Sequence, residues 1–376
     1  MTDPSVPPAG EDDPPAGQSE ADVARHRSRG YAAVVVAAIS FVALLCVAFL
    51  VPVPYVAMRP GPAFDTLGEF DGSPMITFGD DVKTYDTDGV LDFTTVSVTS
   101  ADNQLRFGDV VSAYLTRDVS VVPRESVYPE GETADQSKEQ GAAQLTSSKD
   151  TSRAAALRAA GYDVPETPKV VDVVEDGASV DVLEPEDLIL TVDDEPVTSA
   201  QEVQSAVRAG DPGDEVEVGI SRDGEEQSVS ITTKPSPEDP ELPLIGITVG
   251  TAYDFPVEIE NNVGDQVGGP SAGTMFALAI YDRLTPGTLT SGERIAGSGE
   301  IAGDGTVGSI GGIRQKMAGA ASDGATIFLV PEDNCAEAVT GDDHGMKLIE
   351  VKTLDGAIDA LTTLADDPEA EVPTCQ

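Results

Sequence analysis

The strongest restriction on this chain is an uncharged apolar run from Tyr31 to Val53, set between a basic cluster and a long acidic remainder. About 20 such residues let a helix cross the hydrocarbon core of a bilayer, and the run is too long for an ordinary signal-peptide core. Arg25, His26, Arg27 and Arg29 precede it, and acids dominate beyond Arg59. Basic flanks stay in the cytoplasm, so residues 1–30 are expected as a cytoplasmic tail and 31–53 as a transmembrane helix. Everything later then lies outside, attached to the cell membrane by one span. A cleaved signal peptide is the competing reading. Met1 to Ala24 is rich in Pro, Gly, Ser and acids with no apolar period, and is expected to be disordered.

The 376 residues carry 67 acidic and 22 basic side chains, a formal net charge of −45. A surface this negative repels nucleic acid backbones, which excludes general DNA or RNA binding. Three cysteines make neither a disulfide framework nor a metal cluster. Cys46 lies in the apolar run, which leaves Cys335 and Cys375 as the one extracytoplasmic pair, bridged or not. Only His26 and His344 exist, so a Ser-His-Asp triad would rest on His344 alone. Nothing in the sequence calls for a metal or cofactor.

Residues 54–150 read as an extracytoplasmic β-rich region followed by a polar linker. Val90 to Thr99 and Asp109 to Leu115 alternate as strands do, and Glu130 to Asp150 is polar with weak structure expected. Thr151 to Ala160 has a helical pattern stopped by Gly161. From Lys169 to Lys234 the order is strand, strand, helix, hairpin. Lys169 to Val174 and Asp187 to Val192 are apolar enough for buried strands. Ser199 and Glu202 form a capping-box pair before a helix carrying Val203 and Val207, and Asp223-Gly224 joins two alternating runs. This order resembles a bacterial PDZ domain over residues 151–236. Glu175-Asp176-Gly177-Ala178-Ser179, Leu183 to Ile189 and Val192 to Val197 follow that family's pattern, with Pro185-Glu186-Asp187 where it has Pro-Gly-Asp. The resemblance puts the carboxylate-binding loop near Gly161-Tyr162.

The chemistry is concentrated in two later segments. Gly268-Gly269-Pro270-Ser271-Ala272-Gly273 precedes a helical pattern from Thr274 to Tyr281. A serine at a helix N-terminus sits among free N–H groups at the positive end of the helix dipole, a physical basis for an oxyanion hole. Gly299 to Gly308 then reads as strand, turn, strand, and Ser309 to Ala318 leads into a helix. Lys316 is one of eight lysines in the chain and stands among small and apolar residues. Burial disfavours its ammonium form and turns such a lysine into a base.

Together these segments resemble the proteolytic domain of Lon peptidases, over residues 240–366. That family has a Gly-Pro-Ser-Ala-Gly loop and, some forty-odd residues on, Gly-Glu…Gly-Gly-aliphatic-x-x-Lys, matched here by Gly299-Glu300 and Gly311-Gly312-Ile313-Arg314-Gln315-Lys316. The resemblance implies Ser271 as nucleophile and Lys316 as general base, with no histidine needed. It implies a supporting hydroxyl at Ser298 that helps hold the lysine, and an oxyanion hole from the backbone of Gly268, Gly269 and Ser271. Gly268 stands where cytoplasmic Lon enzymes often have an acid, so help at that position falls to the backbone.

The expected class is therefore α+β: an N-terminal transmembrane helix, a β-rich region, a PDZ-like domain and a Lon-type α+β proteolytic domain, with a tail at 367–376. The arrangement resembles the secreted, membrane-anchored, PDZ-containing Lon relatives of the YlbL type. It implies a serine endopeptidase acting on protein or peptide substrates, and leaves an oligomer open. No Gly-x-x-x-x-Gly-Lys-Ser/Thr occurs, so no ATPase module is read from the chain. Two rivals stand beside this reading. One is a non-catalytic membrane scaffold that binds partner proteins. The other is nucleotide binding at Gly303-x-Gly305-x-x-Gly308, which would require a helix opening at that turn.

Overall fold

The computed structural model describes residues 20–129, 131–264 and 267–376, with residues 20–30 as backbone only. Helix α1 (Glu20–Leu50) contains the apolar run as far as Leu50, three residues short of the expected end at 53, and its Tyr31–Leu50 portion has mean hydropathy 3.0 and no burial against the rest of the chain. Pro52 and Pro54, which cannot continue the hydrogen-bond ladder, follow its end. The disorder expected for Met1 to Ala24 falls mostly outside the described residues. Its last part, Glu20 to Ala24, is helical instead, because an existing helix lengthens cheaply once nucleated.

The larger unit is built on a sheet that combines strands from both ends of the chain. β1 (Tyr55–Asp65), β2 (Val90–Val98) and β3 (Ser120–Pro123) come from the first third. β9 (Arg294–Gly297), β12 (Ile327–Pro331) and β13 (Lys347–Val351) come from the last. The order is β13-β12-β9-β2-β1-β3, parallel from β13 to β2 and antiparallel at β1 and β3. Residues 54–150 are thus no separate β-rich region with a linker, because their strands complete this sheet. Asp109 to Leu115 is no strand: Asp109 to Tyr114 belongs to α2 (Phe107–Tyr114), whose buried Ala113 packs inward, and Leu115 is its C-cap. The polar stretch before Asp150 is the body of α3 (Ala134–Ala159), started by a Thr133/Gln136 capping box and rich in good helix formers.

Alternate residues along each strand serve opposite faces. Leu91, Phe93, Ile295, Leu329 and Ile349 face α3, α5 (Gly273–Leu284) and α8 (Leu354–Asp366) in one core. Ala296, Phe328 and Val330 face α6 (Ile313–Ser322) and α7 (Cys335–Ala338) in another. Phe93 connects the first core across the sheet, with ring centroids 5.3 Å from both Phe64 and Phe276. Cys335 and Cys375 are joined by a disulfide beside α7.

The smaller unit interrupts this domain between α3 and α5. Its strands are β4 (Glu166–Val173), β5 (Leu188–Val192), β6 (Glu215–Arg222), β7 (Glu225–Thr232) and β8 (Ile247–Tyr253), in the order β7-β6-β5-β4-β8. Helix α4 (Ala200–Arg208) closes its core through Val203 and Val207. Ser199 caps the helix, while the Glu202 carboxylate accepts from Thr198 rather than from the cap's own amide. Asp223 and Gly224 both have positive φ, as the two-residue hairpin turn requires. Between the segments at 299 and 308, β10 (Glu300–Ile301) pairs with β11 (Val307–Gly308). The Gly303 to Gly308 run is therefore the tip of a hairpin. The next helix opens only at Ile313, so the dinucleotide context is missing.

Candidate active site

Ser271 stands just before the N-terminus of α5, on one face of the main sheet, and Lys316 lies in the first turn of α6 on the other. They meet beyond the short strand β9, where Lys316 Nζ lies 2.9 Å from Ser271 Oγ. The same nitrogen donates to the carbonyl of Thr94 in β2 at 2.7 Å. The lysine is 3% exposed, with Ile313 and Met317 fully buried on its helix. Loss of hydration there pushes its pKa down from 10.5 to about 7.

Two glycines allow this burial. At the β1 bulge between Pro60 and Ala63, the Gly61 carbonyl points at α6. A Cβ at Gly319 would fall 2.5 Å from that oxygen, so only glycine lets the helix lie this close to the sheet. Gly319→Ala should force α6 outward at a cost of about 1–3 kcal/mol. Lys316 is one turn away, so kcat/KM should fall by roughly tenfold or more. Thermal melting and peptide hydrolysis measured together check both effects.

The serine loop is held from two sides. The Ser271 carbonyl accepts from Ser298 Oγ at 2.8 Å and from the Gly299 amide at 2.9 Å. From α3, Ser148 Oγ donates to the Pro270 carbonyl at 2.9 Å, and the Gly141 carbonyl accepts the Gly269 amide at 2.9 Å. Two expectations change here. Ser298 fixes the peptide of Ser271 instead of holding the lysine, and the Thr94 carbonyl holds Nζ. Gly269 cannot offer its N–H to an oxyanion, because Gly141 already takes it. The Ser271 amide finds no acceptor among the described residues, and Gly268 lines the adjoining cleft. That cleft, about 690 Å³, runs between the first turns of α3 and the end of β2, floored by Val98, Ala101 and Tyr128. His344 has its ring nitrogens 3.9 Å from Asp118 and 4.0 Å from Asp342, with neither Ser271 nor Lys316 among its partners.

Thr94, Gly141 and Ser148 escaped the sequence reading. Two act through main-chain carbonyls, which no side-chain pattern reveals, and Ser148 sits in a stretch read as linker.

A second concave surface lies in the smaller unit, a groove of about 390 Å³ between α4 and residues 243–249. The edge strand there is β8, preceded by Leu244-Ile245-Gly246, where Gly246 has φ +75°. The loop expected near Gly161-Tyr162 is instead the turn that ends α3, with Gly161 at φ +87°.

The PDZ domain model matches residues 143–233, and the model of the Lon protease (S16) C-terminal proteolytic domain matches 264–363. Lon protease 2 of Bacillus subtilis (strain 168) is 29% identical over 120 residues, which are 32% of this chain and 21% of that protein. The chain thus spans about a fifth of that relative's length. Among solved structures, the PDZ domain of an SdrC-like protein from Listeria monocytogenes is 26% identical, covering 22% of this chain and 86% of that one, with a TM-score of 0.21. A protein from Geobacillus thermodenitrificans is 28% identical, covering 22% and 94%, with a TM-score of 0.20. With both family models matched in one α+β chain, this protein carries a PDZ domain and a Lon-type proteolytic domain.

Proposed function

We propose that the chain is a membrane-anchored serine endopeptidase whose catalytic domain works outside the cytoplasm, with Ser271 as nucleophile and Lys316 as base. The observation that carries this reading is the 2.9 Å approach of Ser271 Oγ to an amine whose burial lowers its pKa to about 7, so that a large share of it is neutral near pH 7. A neutral amine spends one N–H on the Thr94 carbonyl and turns its lone pair to the serine hydroxyl. Oγ attacks the scissile carbonyl as its proton passes to Nζ, and the resulting ammonium protonates the departing amine. Water then enters, Lys316 takes its proton, and the acyl-enzyme is hydrolysed. The Ser271 amide, which has no acceptor among the described residues and lies at the positive end of α5, suits the oxyanion. The groove between α4 and β8 offers an open strand edge to an extended peptide, so the PDZ domain positions substrate and does no chemistry.

A serine-reactive fluorophosphonate should label the full chain and leave Ser271→Ala unlabelled. Equal labelling of both would end the assignment.

The compartment rests on the charge step around α1 and on the disulfide, since such bonds persist in oxidising surroundings. In cells, a tag before Arg25 should resist added protease while one after Pro368 is cut; the reverse pattern would put the catalytic domain inside. The bridge closes a 40-residue separation. Replacing both Cys335 and Cys375 by serine should cost about 2–4 kcal/mol in denaturant unfolding.

A further inference from the structure

Helix α2 has two apolar sides. One is turned into the domain, where buried Ala113 and partly buried Val110 pack with Ala57 and Leu105. The other carries Phe107, Val111, Tyr114 and Leu115, a stripe at i, i+4, i+7 and i+8. Phe107 is 43% exposed, Tyr114 81% and Leu115 79%. An exposed stripe of large apolar side chains marks a surface that something else covers.

The position of the stripe identifies its cover. The start of α2 is joined to the end of α1: the Phe107 amide donates to the Val51 carbonyl at 3.0 Å, and the Val53 amide to the Leu105 carbonyl at 2.9 Å. The rings of Phe49 and Phe107 meet edge to face, 5.8 Å between centroids. Gly108 leaves room for this contact, since a Cβ there would come within 2.9 Å of the Phe49 ring. The stripe therefore continues the apolar surface of α1 at the level where the apolar run ends. Arg106 and Arg117 bracket it, both exposed, in a chain with few basic residues.

We propose that α2 lies in the headgroup layer of the membrane that α1 crosses, an inference that rests on reading α1 as a span. Phe107, Val111, Tyr114 and Leu115 enter the boundary between headgroups and acyl chains, where tyrosine keeps its ring apolar and its hydroxyl wet. Arg106 meets lipid phosphates, and Arg117, which is ion-paired with Asp342 at 3.5 Å, exchanges that partner for a phosphate. Because α2 packs on β1 and β3 of the main sheet, this second contact fixes the orientation of the catalytic domain over the bilayer.

The chain has no tryptophan, which makes single-Trp fluorescence a direct test. Full-length Phe41→Trp, Leu115→Trp and Tyr162→Trp proteins are reconstituted in phosphatidylcholine vesicles with bromines placed either near the headgroup or deep in the acyl chains. Trp at 41 should lose most of its emission to deep bromines. Trp at 115 should be blue-shifted and quenched best by the shallow ones, and Trp at 162 should be unaffected. A quenched 41 beside an unquenched, red-emitting 115 overturns the proposal while the span stands. An unquenched but blue-shifted 115 also overturns it, because protein rather than lipid then covers the stripe. An unquenched 41 removes the span itself, and the inference with it.

Discussion

Changing Ser271 to alanine is expected to lower peptide hydrolysis by roughly 10⁴-fold or more, and changing Lys316 to methionine by a comparable factor. Each change removes one half of a contact that has no substitute among the described residues nearby. Without Oγ there is no nucleophile at the head of α5. Without Nζ the serine hydroxyl keeps its proton, since His344 faces Asp118 and Asp342 rather than the loop. Methionine is the better replacement for the lysine. It is close in volume and needs no hydration, whereas alanine would leave a cavity between α6 and β2 costing about 2–5 kcal/mol. The double variant should be hardly worse than either single one, because the two groups act as a unit. His344→Ala should retain activity. Initial rates on an unstructured peptide, with circular dichroism to confirm folding, read these outcomes. Substantial turnover in a folded Ser271→Ala or Lys316→Met protein would sink the dyad.

Why the pair was legible, and much around it was not, follows from what side-chain patterns encode. Ser271 and Lys316 each sit at a helix start within glycine-rich runs, and such runs announce tight backbone in any sequence. The Ser298 hydroxyl was visible too, but its direction was not, because direction depends on how β9 ends against the serine loop. Thr94 contributes a carbonyl from a strand 222 positions away from Lys316. That pairing arises only after β2 enters the sheet beside β9. A domain interrupted by another hides such neighbours: β1, β2 and α3 read locally as a separate region because β9, which pairs with β2, and α5 and α8, which pack on α3, all lie beyond the PDZ domain. α2 reads as a strand because an eight-residue helix with apolar side chains on two sides shows no clean 3.6-residue period. The Asp-Gly hairpin and the Ser199 cap, by contrast, are local in their physics and were readable.

The pH behaviour should separate a buried neutral lysine from any other base. Burial lowers the pKa of Lys316 from 10.5 to about 7, so kcat/KM should rise with pH on one ionisation near 7 and then level off. Stability carries the same signature. Between pH 7 and about 10 the unfolded chain holds a proton on Lys316 that the folded chain lacks, so the folded state gains stability as pH rises through that window. The size follows from roughly 1.4 kcal/mol for each unit of displacement, giving a penalty on the order of 5 kcal/mol at pH 7. Lys316→Met lacks this penalty. It should therefore unfold at a higher temperature than the parent protein at pH 7, with the difference shrinking steadily toward pH 10. Asp92 and Asp282, raised by burial to about 6, act with the opposite sign and at lower pH, where stability falls between about 4 and 6. Their window does not overlap that of the lysine. Melting curves of both proteins from pH 5 to 10 distinguish the two. A gap between parent and Lys316→Met that stays constant from pH 7 to 10, or activity that rises only above pH 9, would mean that Lys316 is charged in the folded enzyme and is not the base.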